Sequence, residues 1–551
     1  MKSYTITDKC IGCTLCAKQC PVNAINGELK QKHNINKNLC ISCGLCGKVC
    51  PQSAIIDADG FIAEKLPKQK WQKPFIKQSC AGCSVCVEAC PKNCLEISKA
   101  KYKGDISTKA QLAKPNDCIG CGLCKNSCPI DAITMYKSDE TLTEEIKGAN
   151  SMYKAFCRTF QFVMKIGNYA LPYRMPEYIE GENSVLKLPG WIKEKGVKNV
   201  LVVTDNGLMK LGLPAPMLVA MEAEGIKYTV FSDIEPNPTS DNVEAGFKVY
   251  KENGCDGIVA FGGGAPMDCA KAIGARVARP NKTVAQLQGL LKVMKKIPPL
   301  FAVPTTSGTG SETTVAAVIT DSKTHHKASI NDTALIPKYA VLDPLLTAGL
   351  PPFVTATTGM DALCHAVEAY TNYTYLTSLE KKLALDAVKL IHDNLYIAYN
   401  DDKNIDARQN MQKAAFYAGR AFTRGCVGYV HAVGHTLGGL YGVPHGLAMS
   451  VILPHVMRQF GPAVYDKLAD CADVCGIKGA DNKEKALGFI SWIEELKKQM
   501  NIPAGIDTIQ EKDTDQIIKW ASAEANPLYP VPVIWGKEDF IKLLHTLKTA
   551  K

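Results

Sequence analysis

An aspartate and four histidines hold the most specific chemistry in this chain of 551 residues. They fall in Thr358-Gly359-Met360-Asp361-Ala362-Leu363-Cys364-His365, in Tyr429-Val430-His431-Ala432-Val433-Gly434-His435, and in Gly442-Val443-Pro444-His445-Gly446. Asp361 and His365 are four apart, as are His431 and His435, so on helices each pair projects from one face. One carboxylate and several imidazoles converging on a point form a ligand set for a divalent transition metal. Each histidine taken singly reads equally well as a hydrogen-bonded core or surface residue; the metal reading rests on the set.

The second constellation is cysteine. Among 24 cysteines, sixteen repeat one motif four times in the first 137 residues: Cys10, Cys13, Cys16 and Cys20; Cys40, Cys43, Cys46 and Cys50; Cys80, Cys83, Cys86 and Cys90; Cys118, Cys121, Cys124 and Cys128. Each run is C-x2-C-x2-C-x3-C followed by proline, and the segment resembles the bacterial two-cluster ferredoxins. In that pattern three close cysteines serve one cubane and the fourth, carried off by the proline turn, serves its neighbour. Pairing the motifs in order predicts four [4Fe–4S] clusters. The first takes Cys10, Cys13, Cys16 and Cys50, and the second Cys40, Cys43, Cys46 and Cys20. The third takes Cys80, Cys83, Cys86 and Cys128, and the fourth Cys118, Cys121, Cys124 and Cys90. A crossed pairing between the two modules is the alternative. A structural zinc site would need no proline after the fourth cysteine. Cys94 aligns with Ala24, Ala54 and Ala132 and reads as a small packed position rather than a spare ligand. Cys157, Cys255, Cys269, Cys364, Cys426, Cys471 and Cys475 fall in apolar or helical contexts and read as reduced core residues.

Charge supports the cluster reading. The net charge is +10, and residues 1–137, with 20 Lys, no Arg and 10 acidic residues, account for all of it. Such a basic module would ordinarily suggest nucleic acid. Oxidised clusters with four thiolates carry about −2 each, so four of them offset most of the excess, and no nucleic-acid partner is expected. No apolar run approaches the roughly eighteen residues of a membrane span, and Met1-Lys2-Ser3-Tyr4-Thr5 is no apolar signal region. The expectation is a cytoplasmic protein without a membrane partner.

The positioning elements follow from periodicity. Residues 138–185 read as a junction: Ser138 to Ile146 is polar and acidic, and Ala155 to Met164 is apolar on one face, which predicts a helix docking the cluster module on the next domain. From residue 186, short β-branched runs alternate with helical stretches. Val200 to Asp205 and Tyr228 to Phe231 read as strands, Met217 to Gly225 and Asn242 to Lys251 as helices. Gly257-Ile258-Val259-Ala260-Phe261-Gly262-Gly263-Gly264-Ala265-Pro266-Met267-Asp268 reads as strand, glycine turn and helix start, a setting in which backbone N–H groups receive phosphate. A tight turn alone would also favour three glycines. A second loop, Pro304-Thr305-Thr306-Ser307-Gly308-Thr309-Gly310-Ser311-Glu312, would wall the same cofactor. Beyond Leu350 helical patterns dominate. The expected architecture is multidomain α+β, with two ferredoxin-like modules over 1–137, the junction over 138–185, an α/β dinucleotide-binding domain over 186–350 and an all-helical metal-binding domain over 351–551.

On the glycine turn, the threonine-rich loop and the Asp361/His365/His431/His445 spacing, residues 186–551 resemble the iron-containing alcohol dehydrogenases. The resemblance implies a dinucleotide domain facing a helical metal domain across a cleft. It implies that Asp361, His365, His431 and His445 are the metal ligands and that His435 passes protons between substrate oxygen and solvent. It places Gly263 and Gly264 at the pyrophosphate, and Thr305, Thr309, Thr314 and Lys327 on the nicotinamide and ribose side. Asp205 falls where the family reads the adenosine ribose, and a carboxylate there favours NAD over NADP. Ala265 stands where the family often has serine. The implied ion is Fe²⁺, with Zn²⁺ left open by ligand affinity alone, and the implied substrate is a short aldehyde or its alcohol. Phe422 and Val427 suggest an apolar pocket wall. A homo-oligomer is implied as well.

The two halves differ electronically. Clusters move single electrons, nicotinamide moves a hydride, and a flavin normally converts between them; no flavin fingerprint is present in the sequence. The primary expectation is therefore an NAD(H)-dependent alcohol dehydrogenase whose cluster module couples it to a redox partner, a flavoprotein being the natural adapter. One alternative gives the cluster module a docking or assembly role only. The other is an electron-transfer scaffold carrying a degenerate dehydrogenase.

Overall fold

The computed structural model describes residues 4–57, 61–63, 65–68, 71–77, 80–98, 108–130, 132–137, 151–322 and 327–550. The chain divides into two compact units, Met1–Asn150 and Ser151–Lys551.

The first unit repeats one pattern. In its first module the strand Thr5–Ile6 pairs antiparallel with Ile55–Ile56, and Ile25–Asn26 pairs with Asn34–Ile35. In the second, Gln72–Ile76 pairs with Ile133–Lys137 and Leu95–Ile97 with Ala110–Leu112. Joining first strand to last brings the end of the second cysteine motif back beside the start of the first. Each motif opens a helical turn, over Leu15–Gln19, Leu45–Val49, Val85–Glu88 and Leu123–Asn126. The residues flanking the second cysteine of every motif are left-handed: Gly12 and Thr14, Ser42 and Gly44, Gly82 and Ser84, Gly120 and Gly122. Gly12 is required on space as well, since a Cβ there would lie 2.3 Å from the Gln31 nitrogen. This winding turns backbone N–H groups toward the sulfurs.

In the second unit, six strands form a wholly parallel sheet in the order Lys227–Phe231, Asn199–Val203, Gly257–Gly262, Leu300–Pro304, Tyr339–Leu342, Glu177–Glu180. Both faces are covered, as parallel sheets require. Leu201 and Val203 join one apolar core, Val200 and Val202 the other, the period of two expected of a strand. The expected helices appear as Ala215–Ala223 and Ser240–Glu252. A smaller sheet of Gly289–Leu290, Lys327–Asn331 and Ala316–Thr320 was not legible in the pattern. From Pro352 the described residues are helical, beginning with Pro352–Thr371, Ser378–Asn400 and Ile405–Gly425.

The junction expected over 138–185 is not a separate segment. Glu177–Glu180 is the edge strand of the main sheet, paired with Tyr339–Leu342. Ser151–Ala170 is a single helix of the second unit. It is held there because Arg158 donates to the carbonyls of Val531 and Pro532, and Gln161 to those of Pro527 and Tyr529. The acidic stretch Ser138 to Ile146 lies outside the described residues. Among the described residues, no helix is long and apolar enough to cross a membrane.

Candidate metal centre, nucleotide cradle and cysteine cavities

Helix Pro352–Thr371 presents Asp361 and His365, helix Tyr429–Tyr441 presents His431 and His435, and His445 opens helix His445–Phe460. Proline at 444, just ahead of that helix, suits a helix start. Asp361 Oδ1 lies 3.9 Å from His365 Nε2, 3.8 Å from His431 Nε2 and 3.3 Å from His445 Nε2. Ligating atoms of Asp361, His431 and His445 all lie within 4.8 Å of one another. Asp361 Oδ1 and His431 Nε2 are buried with no hydrogen-bond partner. Buried polar atoms are rarely left so, and these two face a common point. A divalent ion satisfies both, so the residues fit the expected metal.

The electrostatics agree. Burial would raise the Asp361 carboxyl, but His365, His445 and His431 together hold it far below the usual carboxylate range. Burial pushes His365 down to about 3 and His431 well below the usual imidazole value, so both are neutral and able to ligate. His365 is stacked on Phe422, with ring centroids 4.1 Å apart.

Two carboxylates that spacing alone did not single out orient these rings. Glu368, one helical turn past His365 on the same helix, accepts from His431 Nδ1 at 2.6 Å and from the Val430 nitrogen at 2.8 Å. That bond leaves Nε2 as the ligating atom. Glu524 accepts from His435 Nδ1 at 2.7 Å and from the Tyr529 hydroxyl at 3.1 Å. Burial alone would lower His435, but the charge of Glu524 and its hydrogen bond raise it above the usual value. Glu524 is lowered in turn, the charge and hydrogen bond of His435 outweighing burial. The His435 ring stacks on that of His445, with centroids 5.2 Å apart.

The cradle is built from two loops after adjacent strands. Strand Gly257–Gly262 runs into helix Gly264–Ala278 through Gly263. Gly262 has φ of +148°, and a Cβ there would lie 2.7 Å from Pro266 Cγ, so only glycine suits. Built Cβ atoms on Gly263 and Gly264 would meet Thr306 and Thr309 at 3.3 Å and 3.2 Å, so the glycine turn and the threonine loop share one wall. The Thr305 nitrogen bonds the Gly262 carbonyl at 3.1 Å. Gly308 lets the loop reach the metal helix: a Cβ there would lie 2.8 Å from Thr358 Cβ.

Behind the loop lies a buried charge group. Lys271 donates to the Ser311 and Thr314 hydroxyls and to the carbonyls of Thr314 and Ala316. Asp268 accepts from the Ser311 hydroxyl and the Val318 nitrogen. The Thr314 hydroxyl is thus bound to Lys271, and Thr314 is buried. Lys327 donates to Asn237, and its charge is felt by both Asp268 and His435. Asp205 ends the strand Asn199–Val203 region by capping helix Asn206–Lys210, accepting from the Leu208 nitrogen at 2.9 Å.

In the first unit, Cys10, Cys13, Cys16 and Cys50 line one cavity. Cys80, Cys83, Cys86 and Cys128 line a second, and Cys90, Cys118, Cys121 and Cys124 a third. Around Cys43, the thiols that act on it are Cys20 and Cys40, and Cys46 in turn is acted on by Cys43, Cys40 and, from the neighbouring set, Cys16. Three of the sets that in-order pairing predicts thus each line one cavity within a single module. Backbone nitrogens of Ala24, Ala54, Cys94 and Ala132 donate to Cys20, Cys50, Cys90 and Cys128 at 3.1–3.5 Å, bonds that favour thiolate. All described cysteines are free, so the donor sets fit cubane clusters. Cys94 is buried, with Sγ 3.2 Å from Cys90 Sγ. Cys43 and Cys121, from different modules, pack against one apolar cluster of Leu45, Trp71 and Ile119.

A parallel sheet with a glycine turn, closed by a helical domain that presents a carboxylate and histidines beside the turn, defines a metal-dependent nicotinamide dehydrogenase. Residues 176–344 match the family model of iron-containing alcohol dehydrogenase, and residues 355–547 the C-terminal model of the same family. Models of 4Fe-4S dicluster domains match residues 5–57, 79–132 and 32–91. Alcohol dehydrogenase 4 of Schizosaccharomyces pombe is 38% identical over 358 residues, covering 64% of this chain and 83% of its own. The crystal structure of a 1,3-propanediol oxidoreductase aligns with a TM-score of 0.66 at 35% identity, covering 68% of this chain and 99% of its own. That of sulfoacetaldehyde reductase from Bifidobacterium kashiwanohense in complex with NAD⁺ aligns with a TM-score of 0.62 at 29% identity, covering 69% and 99%. The chain belongs to the iron-containing alcohol dehydrogenase family, preceded by 4Fe-4S dicluster domains, and is an oxidoreductase acting on CH–OH groups.

Proposed function

We propose that this chain interconverts a short-chain aldehyde and its primary alcohol with NAD(H), at one divalent ion, Fe²⁺ by family, held by Asp361, His365, His431 and His445. The observation that carries the reading is the pair of buried, unpartnered atoms Asp361 Oδ1 and His431 Nε2 beside the shared glycine–threonine wall. The ion, when bound, supplies Lewis acidity to the carbonyl oxygen, and the nicotinamide supplies the hydride.

The residues do the rest. Gly263 and Gly264 at the N-terminus of helix Gly264–Ala278 offer backbone N–H groups to the pyrophosphate. Asp205 selects an unphosphorylated ribose, and Thr305, Thr309, Thr314 and Lys327 make the nicotinamide side. In Thr314 the hydroxyl serves through its bond to Lys271, positioning the loop. Phe422 and Val427 exclude water from the carbonyl. With Nδ1 committed to Glu524, His435 has Nε2 free to give a proton to the product oxygen, or to take one from an alcohol. The raised affinity of His435 for protons favours the acid role in reduction.

In the first unit, four [4Fe–4S] clusters would occupy the four cysteine sets, and the shared packing of Cys43 and Cys121 supports a single conducting unit. Because no cluster transfers a hydride, coupling to ferredoxin-level electrons calls for a flavoprotein partner. The dehydrogenase assembles as a homo-oligomer. The test is an anaerobic screen of short aldehydes with NADH on metal-replete protein. Aldehyde-dependent NADH oxidation that disappears in His431→Ala is the expected result; no oxidation with any aldehyde, together with failure to bind NADH, would sink the proposal.

A further inference from the structure

Helix Ser151–Ala170 is anchored to its unit largely by polar side chains. Beside the buried Cys157, Gln161 and Asn168 are buried, and Arg158 is half-buried and bound to backbone carbonyls. Its outer face is apolar. Met152, Phe156, Phe162, Val163, Ile166 and Tyr169 are 55–74% exposed. A helix packed on a domain normally turns most of its large apolar side chains inward.

The outer face has an order of its own. Met152, Phe156, Thr159, Val163, Ile166 and Ala170 follow one another at spacings of four, three, four, three and four, the a/d repeat of a two-helix seam. The flanking seam positions are Tyr153, Ala155, Phe160, Phe162, Gly167 and Tyr169, so no charge stands on this side of the helix. Its three charged residues, Lys154, Arg158 and Lys165, all fall outside the seam. An anionic membrane surface is a poor match, because the basic residues of a surface-bound helix flank the apolar face and point to lipid. Gly167 sharpens the argument. A Cβ there would meet nothing within 4 Å, so among the described residues there is no contact that calls for a residue that weakens a helix. Close approach of another helix gives one.

We infer that this face is a self-complementary interface, and that its occupant is the same helix of a second copy of the chain. A heptad seam without charges matches its own copy, whereas a lysine-rich partner would leave ammonium groups desolvated. The six exposed side chains offer on the order of 600 Å² per copy, and a pair buries about 1,200 Å², the low end of stable specific interfaces. Two-fold symmetry then sets the outer faces of two helices against each other.

This deepens the homo-oligomer reading and rests on it. The test is the mass of the anaerobic holoenzyme by sedimentation equilibrium between about 0.1 and 10 μM, for the full chain, for Val163→Glu/Ile166→Glu, and for Gly167→Leu. All three positions are exposed, so each variant keeps the monomer fold, checked by cluster absorbance and NADH binding. The expected result is a wild-type dimer or higher assembly whose dissociation constant rises at least tenfold in both variants. An assembly of unchanged mass and affinity in both variants overturns the seam and leaves the homo-oligomer reading standing. A wild-type monomer throughout the range overturns both.

Discussion

In the proposed mechanism the His435–Glu524 pair sets the proton chemistry. Burial lowers and Glu524 raises the affinity of His435 for protons, with a net rise. If His435 is the proton donor proposed, the rate of aldehyde reduction falls as pH climbs through that raised value, and alcohol oxidation, which would use the neutral ring, rises over the same window. Glu524→Gln removes the raising influence and leaves burial. Both limbs then move to lower pH, and reduction near pH 7 drops on the order of tenfold, which a pH series of initial rates reads directly. Glu368 holds the tautomer of His431 through its 2.6 Å bond. Glu368→Ala weakens metal affinity roughly 10- to 100-fold, measurable by competition with a chelator, with labile sulfide unchanged. Asp361 with His365 and His431 with His435 were legible because residues four apart share a helix face, whereas the inclusion of His445 among the expected ligands, and the separate role of His435, followed only from the family resemblance. Glu524 was not legible: it stands 89 residues from His435 and meets it only through the packing of two helices.

At the scale of elements, short-range order carried the reading and long-range pairing did not. The run Val200 to Val203, the glycine turn after Gly257–Gly262 and the helix following it could be placed because burial, twofold alternation and backbone conformation are local. The edge strand Glu177–Glu180 could not be placed, since its two glutamates are exposed and only Tyr178 and Ile179 are half-buried, and only pairing with Tyr339–Leu342 makes it a strand. Helix Ser151–Ala170 was expected to dock the cluster module on the next domain; the structure shows it held to its own unit mainly by Arg158, Gln161 and Asn168, with Cys157 buried beside them. A buried charge also joins two helices of the metal domain. Glu380, on Ser378–Asn400, accepts from Arg424 Nε at 3.1 Å, and Arg420 approaches the same oxygen at 2.9 Å outside hydrogen-bond geometry. Burial works against its charge, but the Thr377 bond and the two guanidinium groups lower the Glu380 value overall. A lowered folded value contributes stability that is present above the unfolded carboxylate range and lost as pH falls through the folded one. Glu380→Gln leaves two buried cations without their anion, and destabilises by about 3 kcal/mol at neutral pH. In the variant the acid loss of stability between roughly pH 5 and 3 should flatten, as thermal melts across that range will show.

At the scale of the whole molecule, the chain joins two chemistries that do not share a carrier. The charge split was visible in composition, with the excess lysine confined to the residues that carry sixteen repeated cysteines. What composition cannot show is which electrons reach the aldehyde. On the proposed reading of Gly263, Gly264, Asp361 and His431, the hydride comes from the nicotinamide and the clusters exchange electrons with a partner. Reduction of an aldehyde by NADH carrying deuterium at C4, under anaerobic conditions with the clusters reduced, separates the two. Deuterium at C1 of the alcohol, lost together with activity in Asp361→Ala, is the predicted result. An alcohol formed at full rate whose C1 hydrogen comes from solvent would contradict the account, because the electrons would then have reached the substrate without a hydride.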